Sequence, residues 1–222
     1  MNSYSRVTGF VAISIATAIF MGFISSLLTL HAFDITPLLA IRSFVIMIAA
    51  LLNIRLIWML RLGLRTPSNW FSLFMLLTGL IGSFIVFIGS AFDFLNTIVG
   101  HNLIIWFPLS QTQSIIAVGF AFIGIWLLLL NYQARLDDAW SRRLAWLGII
   151  AGTVMAIGLL AIPRIFIPYV SLYHEIVPEL GELVGLLGWL FLYPIWCMWL
   201  GFVYSKGTYV GRHQEGFAPR FQ

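Results

Sequence analysis

The feature that most limits what this chain can become is a row of six apolar stretches almost free of charge. They cover residues 7–30, 37–60, 70–92, 114–130, 144–162 and 182–204. A helix needs about 20 mostly apolar residues to cross the hydrocarbon core of a bilayer. The fourth and fifth stretches are shorter and extend into their flanks. In hydrocarbon every backbone N–H and C=O must be paired within the spanning structure, which leaves helices and closed barrels. A barrel would show repeated alternating segments of about ten residues, and this sequence has none. The expectation is an all-α membrane protein: a six-transmembrane-helix bundle over residues 1–205, followed by a polar tail over 206–222.

Composition supports lipid as the main solvent. Only 9% of the 222 residues are charged and 61% are hydrophobic, whereas soluble chains carry about 25% charged residues. The first stretch, Val7–Leu30, exceeds the roughly 7–15 residues of a signal-peptide core. It reads as a retained first helix. The single cysteine, Cys197, lies within the last stretch, so the chain has no pair for an internal disulfide and no zinc-finger spacing.

The few charges are sorted by side. Ten of the twelve Lys and Arg residues fall at Arg6, around Arg55–Arg65, around Arg135–Arg143 and in the tail from Lys206. Threaded through six spans, all ten lie on one side of the membrane. Only Arg42 and Arg164 lie on the other, together with five of the eight acidic residues. Cytoplasmic loops carry the excess of Lys and Arg, so both termini are expected in the cytoplasm. The net charge of +4 therefore records topology. No basic cluster with interleaved aromatics is present, and nucleic acid is excluded as a partner.

Candidate site residues are sparse. Arg42 sits about five residues, or about 7 Å at 1.5 Å per residue, inside the outer end of the second span. An ionisable side chain at that depth is costly and faces a bundle interior or a cavity. Asp34, Asp93 and Glu182 are its candidate partners. The functional reading of Arg42 is a seat for an anionic ligand group; the structural reading is an ion pair or a side chain that snorkels. The outer side also holds His101, His174, Glu175 and Glu179 as weak metal-ligand candidates, since zinc accepts His and carboxylate. No paired-His helical motif accompanies them, and Pro178 interrupts the run. The expectation is a polar rim with no catalytic metal. No nucleophile elbow or phosphate-binding glycine loop is present, so no catalytic residue is assigned.

Two packing patterns stand out. Small residues recur at Ser14, Ala18, Gly22 and Ser26, at Gly148, Gly152 and Ala156, and at Gly181, Gly185 and Gly188. In lipid, such residues let helix backbones approach closely. Trp189, Tyr193, Trp196 and Trp199 are spaced four, three and three, which reads as an aromatic stripe down one side of the sixth helix. With Pro194 expected to kink that helix, the stripe and the tail form the candidate docking surface for another membrane subunit. Lipids are the expected companions; a quinone or pigment is the candidate apolar cofactor.

The run Arg142-Arg-Leu-Ala-Trp-Leu-Gly-Ile-Ile-Ala-Gly152 and the opening Thr8-Gly-Phe-Val-Ala-Ile-Ser14 resemble segments of bacterial polytopic membrane proteins of unknown function. The resemblance implies the bacterial cytoplasmic (inner) membrane and no particular activity. The leading functional expectation is a non-catalytic accessory or structural subunit of a larger membrane complex. The alternatives are an outward-facing small-molecule uptake or binding component, and an intramembrane metalloenzyme using the outer His and Glu residues. The topology is testable directly. In intact cells, cysteines at Ser3→Cys and Gln222→Cys should resist an impermeant maleimide, and labelling from outside would reverse the assignment.

Overall fold

In a computed structural model, residues 3–29, 36–63, 69–99, 109–162 and 172–206 are described, and they are helical apart from short turns. The helices are α1 (Ser3–Leu28), α2 (Thr36–Gly63), α3 (Asn69–Val99), α4 (Leu109–Leu136) and α5 (Arg142–Ala156), which tightens into a 3₁₀ segment over Ile157–Ala161. Helix α6 (Leu172–Leu187) continues through a π-helical turn, Gly188–Leu192, into α7 (Tyr193–Ser205). Six helices are long and apolar enough to cross a membrane, the last being Glu179–Ser205.

Neighbours in sequence are neighbours in space. Helices α1 to α5 pack pairwise in chain order, the 3₁₀ segment packs on α6, and α7 closes the ring against α1. Closure is fastened at the chain's ends: the Ser5 hydroxyl donates to the Tyr204 carbonyl at 2.7 Å. Tyr4 donates to the Met59 carbonyl beside it. These contacts define a terminal end of the bundle; the start of α2 and the end of α3 lie at the opposite, distal end. Helix α4 is the most enclosed, with 61% of its most apolar window buried.

The helices meet through glycine. Gly9 faces Gly201, Gly82 faces Gly119, Gly124 faces Gly152 and Gly158 faces Gly185. A Cβ placed on Gly124 would stand 2.8 Å from the Gly152 carbonyl oxygen, and one on Gly152 would stand 2.6 Å from that of Gly124. Such backbone-to-backbone approach is how helices gain dispersion energy where lipid is as apolar as a leucine side chain. Gly148, Gly181 and Gly188 are also in close contact, and all of these contacts lie within the chain. The stripe read on the first helix is different. A Cβ on Gly22 would meet its nearest neighbour, Ile46, only at 3.7 Å, so the tight contact of α1 is at Gly9 instead.

The core is a column of aromatic rings. Trp189 stacks on Phe120 at 4.1 Å and on Tyr193 at 5.0 Å, and Tyr193 continues to Trp196 at 6.0 Å. Trp126 and Trp140 meet Trp196 edge-on. Hydrogen bonds pin this column from both sides. Tyr193 donates to Asn53 Oδ1, and Asn53 Nδ2 donates to the Ser83 hydroxyl at 2.8 Å. Trp196 donates to Asn131 Oδ1 at 3.1 Å. These ties join α7 to α2, α3 and α4 through groups that are fully buried.

Three expectations need correction. The third span does not end at residue 92: α3 runs on to Val99, because the Asp93 carboxylate has a cationic partner and its charge does not force the chain out of the bundle. Residues 172–181 are likewise helix, and α6 passes through Pro178. The aromatic stripe is not a docking surface. Trp189, Tyr193 and Trp196 are at most 1% exposed, and only Trp199, at 38%, reaches the outside. Each three-residue step falls about 60° short of a full turn, so Trp199 rotates off the face and Leu200 takes the buried position. The tail's expected contact lies outside the described residues.

Gly152→Leu should force α4 and α5 apart and lower stability by about 1–3 kcal/mol or more, while Gly22→Ala should be near neutral. Thermal unfolding of both variants in detergent checks this; equal effects would contradict the glycine seams.

Candidate functional site

Several polar residues of the distal half line a cavity of about 300 Å³. Its walls come from α1 (Ile19, Gly22, Phe23, Ser26), α2 (Arg42, Ser43, Ile46) and α3 (Ser90, Asp93). Helices α4 and α6 and the π turn complete them with Gln113, Ile116, Phe120, Glu182 and Trp189 among others. Small residues from several helices, Gly22, Ser26, Ser43, Ser90 and Ala117, leave the space. The small residues of the first helix thus leave room near its distal end rather than a seam.

Among the described residues, Arg42 is the only cationic one in this lining. Its Nη2 lies 3.0 Å from Asp93 Oδ2, with 25% of the Arg42 side chain and 8% of that of Asp93 exposed. Ser43 donates to the same Asp93 oxygen. Asp93 is therefore the carboxylate that pairs with Arg42. Glu182 lines the same cavity from α6. Asp34 and His101 lie outside the described residues. His174 and Glu175 are in α6, in a stretch whose side chains are not described, and Glu179 is exposed. Among the described residues no group of three or more His, Cys, Asp or Glu side chains could hold a metal ion.

Three hydrogen-bond donors in the lining have no partner: Arg42 Nε, Ser90 Oγ and Trp189 Nε1. Ser90 and Trp189 are each 1% exposed. A buried donor left unpaired costs about 1–3 kcal/mol, so native interiors pair nearly all of them. All three belong to residues that line the cavity. Phe120 and Tyr193 are both stacked on the Trp189 ring. The rest of the wall is aliphatic or aromatic, the usual make-up of a small-molecule site.

Comparison of the chain with protein-family models, with curated proteins and with solved structures returned no match. The site must be read from its own chemistry. Polar side chains on α2 and α3 around a largely apolar space can recognise and hold a molecule. Sequence reasoning singled out Arg42, Asp93 and Glu182 but passed over Ser43, Ser90 and the place of Trp189 in the wall. Ser90 and Asp93 have the i, i+3 spacing that places both on one helix face, which was the available signal.

Removing one partner of a buried ion pair strands the other charge. Asp93→Ala should cost on the order of 3 kcal/mol, and the double variant Arg42→Met/Asp93→Leu should recover most of it. Unfolding of the two proteins in detergent checks this; a double variant no more stable than the single one would mean that the pair is not what holds Arg42.

Proposed function

We propose that this protein is a multi-pass membrane protein whose task is to bind a small molecule in the distal cavity, as an outward-facing uptake or binding component. Both termini are in the cytoplasm in this reading, so the cavity lies towards the outer face. The positive charges gathered at the terminal end support that orientation. The resemblance of two short segments to bacterial membrane proteins supports the cytoplasmic membrane of a bacterium as the location.

The observation that carries the reading is a largely apolar cavity whose lining includes the Arg42–Asp93 pair, Ser43, Ser90 and Glu182. The subunit reading leaned on the aromatic stripe of the sixth helix as a docking face. With three of its four rings stacked inside the bundle, that support is gone.

Native mass spectrometry of protein purified gently from its own membrane tests the proposal. A small molecule should accompany the parent protein at about one copy. Gly22→Leu, which places a side chain against Ile46 in the cavity wall, should lose that molecule while unfolding at a similar temperature. Retention of the same mass by the filled variant would remove the cavity as the binding place.

A further inference from the structure

One charge stands on the outward face of α2. Ile48, Leu51 and Trp58 are exposed there, as side chains that meet acyl chains should be, and Arg55 is exposed among them. Positions 48, 51, 55 and 58 recur at steps of three and four, so they share one face of the helix. Arg61 closes the apolar span, and Arg55 stands about 9 Å deeper at 1.5 Å per residue. A cation at that depth is costly unless something offsets its charge. Among the described residues Arg55 makes no hydrogen bond or ion pair. Ten of the twelve basic residues but only three of the eight acidic ones belong to the terminal end, so the chain's own carboxylates are too few to pair its cations there.

Arg55 lines a groove of about 500 Å³ between α1 and α2, together with Tyr4, Leu51, Ile54, Trp58 and Met59. Tyr4 is fixed as the α1 wall by its hydrogen bond to the Met59 carbonyl. The Arg61 guanidinium lies 6.0 Å over the Trp58 ring, which brings a second cation to the aromatic wall. Among the described residues the lining holds no carboxylate. From Arg61 through Trp58 and Arg55 to Leu51, the helix face passes from cationic and aromatic to aliphatic. A phospholipid presents phosphate, glycerol and acyl chain in the same order, and Trp and Tyr favour the headgroup level. We propose that this groove seats one anionic phospholipid, its phosphate on the Arg55 guanidinium and one acyl chain along Leu51 and Ile54. A zwitterionic headgroup would bring an ammonium beside Arg61, whereas a headgroup without a cation leaves both arginines to the phosphate. The site is separate from the distal cavity, at the other end of the bundle, and does not depend on the binding role proposed for it.

Native mass spectrometry of the delipidated full-length protein in detergent tests this, with dioleoyl phosphatidylglycerol and dioleoyl phosphatidylcholine titrated separately. The chains are identical, so only the headgroup differs. The first phosphatidylglycerol should bind at least about fivefold more tightly than the first phosphatidylcholine, as expected for one arginine acting on an anionic lipid. Arg55→Gln should remove most of that preference. Arg143→Gln deletes the same charge at the same end of the bundle but outside the groove, and should keep it. Leu51→Trp fills the aliphatic part without touching a charge, and should weaken phosphatidylglycerol by about threefold or more, as expected for lost acyl-chain burial.

Equal affinity for the two lipids in the parent protein would overturn the proposal. So would an equal loss of preference in Arg55→Gln and Arg143→Gln, which would mean attraction by the summed charge of the terminal end rather than a seat at Arg55. Unchanged phosphatidylglycerol binding in Leu51→Trp would remove the groove as the place of binding. Glycerol phosphate without chains should not displace the bound lipid even in large excess. Displacement by it would identify a site for a soluble phosphate ester and overturn the assignment to a lipid.

Discussion

For a bundle surrounded by hydrocarbon, burying one more leucine gains almost nothing, because lipid solvates it as well as protein does. Everything else in this structure follows from that constraint. Association must come from close backbone approach and from hydrogen bonds that cannot be made to lipid. The glycine pairs Gly9–Gly201, Gly82–Gly119, Gly124–Gly152 and Gly158–Gly185 supply the first along successive seams of the ring. The ties from Tyr193 to Asn53 and from Trp196 to Asn131 supply the second across its centre. Exposed Trp70, Phe74, Phe84 and Phe202 carry no such duty; they are ordinary contacts for acyl chains.

Drawing the helices together at glycines fills most of the interior, and the aromatic column occupies the rest. The column stops at Phe120 and Trp189, and beyond it the distal cavity opens. Packing at one end and space at the other thus have a single origin. Helix α1 lines the cavity with Ile19 and Phe23 and with the small Gly22 and Ser26, while Ile15, deeper in the core, is fully buried. Polar side chains collect where the space is. Arg42 and Asp93 tolerate their depth because each supplies the other's counter-charge, and Ser43 adds a hydrogen bond to the same carboxylate.

How far the site was legible in the sequence depended on whether a residue announces itself alone. Arg42 does: a charge within an apolar run needs a partner, whatever the fold. Asp93 was among its candidate partners, yet it lay just beyond the expected end of the third span. Hydropathy counts its charge and cannot see the guanidinium that offsets it. Ser90 passed for a small packing residue, since a lone serine in a span has the same local appearance in either role. The aromatic row on the last helix was visible as a pattern but read to the wrong side. Periodicity says which residues share a face, not what that face meets.

The sequence by itself determined the helices, their number and the asymmetry of charge between the two ends of the bundle. These depend on the cost of polar groups in hydrocarbon, which each segment meets independently of the others. Tertiary structure alone decided which faces turn inward, that Asp93 pairs with Arg42, and that residues 42, 90 and 189 line one cavity. Residues 42, 90 and 189 lie far apart along the chain. Their meeting depends on crossing geometry set by glycine seams between other residues, and no local window contains that information.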